Sequence, residues 1–167
     1  MRCNAFCLAA LALACSTPAP AGTSNPQIDY RGFAQLVDEL EPVRAAHLLP
    51  WEEFAHHSRE KGALLLDPRT PHAFARGHLK GAVNVPLTDF SAETLREVIG
   101  EDTNRPIYIY CNNHFRENRP PVLLKSGRLA VAIPTFVNLH GYGYTNVWEL
   151  SHPISTSDPG VEWVSGE

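Results

Sequence analysis

Between residues 63 and 148, short apolar runs alternate with helix-forming stretches, and this alternation limits the fold more than any other feature of the chain. Ala63-Leu64-Leu65-Leu66 is an unbroken apolar run, as in a strand covered on both faces, and Asp67-Pro68 ends it. Thr70 and Pro71 open a helix to Arg76, the first as cap and the second at the first helical position. Ala82 to Val85 is a strand stopped by Pro86, Ser91 caps a helix to Ile99, and Ile107-Tyr108-Ile109-Tyr110 is the next strand. Pro134 opens a helix to about His140 with Gly141 at its end, and Thr145-Asn146-Val147-Trp148 is a last short strand. Repeated strand-helix alternation predicts an α/β fold, mainly a parallel sheet with helices on both faces. In such sheets ligands bind beyond the carboxyl ends of the strands, and Cys111 is the first residue beyond one.

The flanks read differently. Phe33, Leu36, Val37 and Leu40 recur at helical spacing, which predicts an amphipathic helix over residues 30–41 closed by Pro42. Residues 50–60 form a second short helix with Pro50 in its first turn. Pro120-Pro121 and the turn-like Lys125-Ser126-Gly127-Arg128 mark residues 117–131 as an inserted excursion. The organisation expected is a tether and N-terminal helix at 22–44, one domain at 45–150, and a loosely ordered surface tail at 151–167. A hydrophobic content of 44% with 19% charged residues suits one globular core. The net charge of -4, with Lys and Arg scattered, gives no basic stripe and argues against a nucleic-acid partner.

Residues 1–21 have the layout of a secretory signal peptide: Arg2 is the one charge, Ala5 to Ala14 is apolar, and small residues with prolines follow. The apolar run is about half of the roughly 20 residues that span a bilayer. Two cleavage readings stay open. Ala19-Pro20-Ala21 is a small-x-small site, whereas Ala12-Leu13-Ala14-Cys15 resembles a bacterial lipobox, with residues 1–14 removed and Cys15 lipidated. Either way the expected location is the periplasm, free or lipid-anchored, and the anchor is the chain's one route to a membrane. Cys3 and Cys7 leave with either cleavage and Cys15 is removed or capped, so Cys111 is a lone thiol, buried or chemically employed.

A thiol reacts as thiolate, a form favoured by backbone N–H groups that point at it. A loop leaving a strand supplies such donors. Cys111-Asn112-Asn113-His114-Phe115-Arg116 would curl round an anion, with Cys111 as nucleophile, residues Asn112 to Phe115 as substrate-binding wall, and Arg116 as a fixed planar cation. Eight histidines raise a metal site, but His56 and His57 are adjacent and His72 and His78 lie six apart, so neither a metal nor another cofactor is expected.

The stretch Leu65 to Pro86 carries Asp67-Pro68-Arg69, then Phe74, then Gly77-His78-Leu79-Lys80-Gly81-Ala82-Val83-Asn84-Val85-Pro86, and it closely resembles the rhodanese family. Ile107 to Cys111 resembles that family's strand into its active-site Cys, and Gly143 to Val147 its closing segment. The resemblance implies a rhodanese-like three-layer fold and a sulfurtransferase or sulfur carrier. Cys111 would take sulfane sulfur from a donor as a persulfide and pass it to a thiol or cyanide acceptor. It implies that Arg116 closes the loop and that Asp67 and Arg69 form a structural ion pair or cap. Gly77, His78, Gly81, Asn84 and Pro86 would then shape the fold, His78 as a packed core residue. Family loops usually hold small residues where this chain has Asn113, His114 and Phe115. That difference supports the alternative of a catalytically weak binding or sensing module. A Cys-dependent phosphatase or arsenate reductase is less favoured, because its loop is longer and Glu117 here would repel phosphate.

Overall fold

The computed structural model describes residues 25–165, which fall into two units divided after Tyr30. The signal-peptide and lipobox readings, including Cys15, lie outside the described residues. In the first unit Asn25 organises a turn, its carbonyl accepting from the Ile28 N–H at 3.0 Å and its side chain from the Gln27 N–H at 3.0 Å. The rest of this section concerns the second unit.

Its centre is a five-stranded, wholly parallel sheet. The strands are β1 (Leu48–Leu49), β2 (Leu64–Asp67), β4 (Val83–Asn84), β5 (Ile107–Ile109) and β6 (Val147–Leu150), in the order β1-β6-β5-β2-β4. A separate antiparallel pair joins β3 (His78–Leu79) to β7 (Trp163–Val164). The helices are α1 (Tyr30–Ala46), α2 (Trp51–His57), α3 (Pro71–Arg76), α4 (Ala92–Ile99) and α5 (Ala132–Gly141).

Side-chain alternation along the central strands divides the core into two layers. Leu64 and Leu66 of β2 and Ile107 and Ile109 of β5 pack with Leu95, Ile99, Phe136 and Leu139 of α4 and α5. Leu65 and Tyr108 point the other way, to Phe54 of α2 and to Phe115, Val122 and Ile154. With both faces covered, these strands read as continuous apolar runs, which made them legible. The caps behave as their residue types require: Thr70 Oγ1 accepts from the Ala73 N–H and Ser91 Oγ from the Thr94 N–H.

Besides shifts of about two residues at element ends, with α5 opening at Ala132 before Pro134 and the last strand at Val147–Leu150, three expectations change. The first helix does not end at Pro42 but continues to Ala46. Pro42 and Asp38, whose carbonyl loses its helical partner, are both exposed, which leaves that group open to solvent, while Leu40 and Val43 pack on the core. The segment after Ser151 is not loose surface chain. Ile154 is buried and bridges Phe115, and β7 pairs with β3. The helix drawn over 50–60 stops at His57, with Pro50 at its N-cap position. Among the described residues, no helix is long and apolar enough to cross a membrane.

Candidate active site

Cys111 follows β5, the middle strand of the sheet, and caps a 3₁₀ turn at Asn112–His114. It is the free cysteine among the described residues and is 1% exposed. The turn is locked to it reciprocally. The His114 backbone N–H is directed at the Cys111 side chain, and the Cys111 N–H donates to His114 Nδ1 at 2.8 Å. The same His114 N–H donates to the Cys111 carbonyl at 3.1 Å, so the sulfur shares this donor with the backbone.

The loop side chains go to different places. Asn112 donates to the Leu123 carbonyl at 2.8 Å, and Asn113 donates to the Lys125 carbonyl and accepts from the Lys125 N–H. The excursion at 117–131 is therefore strapped across the loop. Phe115 is a core residue, edge-on to Tyr110 and Trp163. Arg116 does not turn back over the sulfur: its guanidinium donates to the Pro153 carbonyl at 3.1 Å and to Asp158 at 2.5 Å, and its side chain is 55% exposed. Asp158, placed by the ordered tail, offers a carboxylate there and draws it outward. Glu117 likewise faces the tail, accepting from Ser155 Oγ and the Thr156 N–H. Its charge is not presented to the sulfur, so loop length, and not Glu117, disfavours phosphate.

His114 is the loop residue that joins Cys111 to other charges. Its Nε2 donates to Glu149 Oε1 at 2.9 Å, and Arg44 of α1 clamps the same carboxylate, Nε on Oε2 at 2.6 Å and Nη2 on Oε1 at 2.5 Å. Glu149 is 1% exposed and lies on β6 in register with Ile109 of β5. Burial opposes its charge, but the His114 and Arg44 hydrogen bonds outweigh this and hold the carboxyl below its usual range. Burial lowers the His114 pKa, yet hydrogen bonds to Cys111 and Glu149 and their negative charges push it up to about 9. In the structure Nδ1 accepts the Cys111 N–H, so the ring is neutral there. The geometry fixes the tautomer while sulfur holds its proton; the value of about 9 belongs to a ring beside an anionic sulfur.

The Asp-x-Arg motif supports the other side of the loop. Arg69 and Asp67 form a buried ion pair, with Nη2 on Oδ2 at 2.6 Å, and Arg69 also donates to the Gly77 carbonyl and, at 3.3 Å, to Asn112 Oδ1. Asn84 Nδ2 donates to the carbonyls of Asp67 and Arg69. His78 stacks on Phe74 and bonds its carbonyl through Nδ1. Gly81 sits at φ 84°, a conformation that favours glycine, and Pro86 ends its segment at the start of a 3₁₀ turn. A cleft of about 440 Å³ opens beside Asn112; Arg76, His72 and Lys125 line it, with no carboxylate among its described lining residues. One grouping of His and acid side chains lies elsewhere, His56, His57 and Glu60 at the end of α2, where His57 already bonds Glu60.

Sequence reasoning missed Arg44 and Glu149. The signal available was a single acid inside the apolar run that becomes β6.

The family model for the Rhodanese-like domain matches residues 51–152. An uncharacterized protein of Bacillus subtilis, YqhL, is 35% identical over 82 residues, covering 49% of this chain and 60% of that protein. The thiosulfate sulfurtransferase GlpE of Stutzerimonas stutzeri is 33% identical over 79 residues, covering 45% of this chain and 66% of the enzyme. The matches thus span less than two thirds of either relative. A solved rhodanese from E. coli, with anions, superposes with a TM-score of 0.40 at 23% identity, covering 62% of this chain and 98% of that one.

Proposed function

The chain belongs to the rhodanese-like family, and on that premise we propose that it is a sulfurtransferase or sulfur carrier that forms a persulfide on Cys111. The observation that carries this reading is the position of Cys111, at the carboxyl end of the middle strand with the His114 N–H directed at its side chain. With thiosulfate as donor, the Cys111 thiolate attacks the sulfane sulfur. The new S–S bond forms as the old one breaks, sulfite leaves with its electron pair, and the persulfide keeps the single negative charge. An acceptor such as cyanide or a thiolate then attacks the terminal sulfur, giving thiocyanate or a new persulfide and restoring the Cys111 thiolate. No cofactor enters either step.

The cleft beside Asn112 suits an anionic donor, because Arg76 and Lys125 stand on its wall. Since Cys111 is 1% exposed, a donor reaches it when the strap from Asn112 and Asn113 to the excursion opens. The same burial favours the second reading, a rhodanese-like binding or sensing module with weak turnover. Export to the periplasm, by either cleavage, is part of the proposal and is tested by fractionation; a full-length product recovered in the cytoplasm contradicts it.

The assay that tests the activity sets thiosulfate, a thiosulfonate and an organic persulfide, each with cyanide as acceptor, beside p-nitrophenyl phosphate. Cys111-dependent thiocyanate formation supports the transferase. Cys111-dependent hydrolysis of the phosphate ester, with no sulfur transfer, reverses the assignment.

A further inference from the structure

The site holds a buried histidine and a buried carboxylate that sulfur transfer at Cys111 does not by itself require. Four groups run in series from α1 to the strand end: Arg44, Glu149, His114 and Cys111. His114 Nδ1 lies 2.8 Å from the Cys111 N, in the turn that Cys111 itself caps, so the ring stands against the residue that carries the thiol. The cation expected from Arg116 is turned outward to Asp158.

An anion on Cys111, 1% exposed, needs compensation within the protein, because an unpaired buried charge is costly. We infer that His114 is the proton acceptor for the Cys111 thiol, and that Glu149 and Arg44 hold it in that role. The S–H proton passes to Nδ1 and its bonding pair stays on sulfur. Nε2 keeps its proton on Glu149, and Nδ1–H turns from the backbone contact to the anionic sulfur. A neutral hydrogen bond at the Cys111 N–H is exchanged for a charge-assisted one at the sulfur. The buried site gains no net charge: before transfer Arg44 balances Glu149, and afterwards the imidazolium balances the thiolate.

The charged or titratable groups facing His114 are Cys111 from the end of β5, Glu149 from β6 and, through Glu149, Arg44 from α1. The segment after β6 contributes the Ile154 N–H, which donates to the His114 carbonyl. A ring pushed up to about 9 beside these anions is charged at neutral pH once sulfur has given up its proton. This inference rests on Cys111 acting as a thiolate, as proposed above, but it concerns proton position and so has a readout that needs no sulfur transfer.

His114→Gln separates a titrating residue from a peg. Its carbonyl oxygen accepts the Cys111 N–H and its amide donates to Glu149, while it cannot take up a proton. Thiolate ultraviolet absorbance is followed against pH for the wild type and His114→Gln, each corrected by its Cys111→Ser counterpart. The fraction of Cys111 present as thiolate at neutral pH falls at least about tenfold in His114→Gln, and Glu149→Gln moves it the same way. Identical titrations in wild type and His114→Gln overturn the inference and leave His114 a peg. If His114→Gln does not fold, nitrogen NMR of the wild-type imidazole decides: Nδ1 gains a proton as Cys111 loses one, and a ring neutral throughout that step overturns it. Loss of sulfur transfer with this titration intact counts against the transferase reading alone.

Discussion

The indole of Trp163 lies over Gly77 so closely that a Cβ on Gly77 would stand 2.5 Å from its Nε1. This contact joins the Gly-His motif to the C-terminal segment, since β3 begins at His78 and pairs with β7. Gly77→Ala forces the ring aside and is expected to cost about 1 to 3 kcal/mol, as overpacking of an ordered core does. Combining it with Trp163→Ala should cost less than the sum of the single changes, because the clash partner has gone. Urea denaturation of the four proteins checks both statements; a fully additive pair contradicts them.

Arg69 and Asp67 are buried as a pair, so removing one leaves the other charged and unpartnered. Arg69→Ala is expected to destabilise the protein by about 3 to 5 kcal/mol. It also frees Asn112 on the side facing the cleft, so sulfur transfer should fall in whatever fraction stays folded. The shift in denaturation midpoint and transfer per folded molecule measure the two effects.

Arg116 lies in a surface pair with Asp158, and exposed pairs contribute little. Arg116→Ala is therefore expected to keep transfer within about fivefold of wild type. Initial rates at saturating donor check this. A loss of a hundredfold or more would place the guanidinium over the sulfur during turnover.

Two groups of the candidate site contribute to the pH response of stability. The Glu149 carboxyl is held below its usual range in the fold, so its contribution is complete above the unfolded value of about 4.3 and is lost as pH falls through the folded value. Beside an anionic Cys111 sulfur His114 is raised to about 9, so in that state its contribution is complete below the unfolded value of about 6.5 and is lost as pH rises to about 9. Thermal melts over this range should show the wild type losing more stability than Glu149→Gln on the acid side, and more than His114→Gln on the alkaline side.

The parts of the fold that were legible from the chain are those in which neighbouring residues carry the signal. The apolar run Leu64 to Leu66, the Thr70 cap with Pro71, the Ser91 cap and the strand into Cys111 each declare themselves within a few positions. Pro42 misled because the cost of a helical proline depends on whether the orphaned carbonyl is wet, which is a matter of exposure and not of sequence. The tail misled because Ile154 and Trp163 are single apolar residues among polar ones, and their burial depends on Phe115 and Gly77 far upstream. In the candidate site, Cys111 and its loop were found from strand-end position. The groups behind it were not, since Arg44 and His114 lie 105 and 35 positions from Glu149. Arg116 illustrates the converse: its spacing from Cys111 fits a loop-closing cation, but Asp158 on a distant segment captures it.

Intact mass spectrometry after incubation with a sulfane-sulfur donor tests most directly whether Cys111 is a sulfur carrier. The wild type is expected to gain the mass of one sulfur atom, lost again on treatment with cyanide or a reductant, while Cys111→Ser gains none. A folded wild type that takes up no sulfur from thiosulfate, a thiosulfonate or an organic persulfide would contradict the account, and the binding-module reading would replace it.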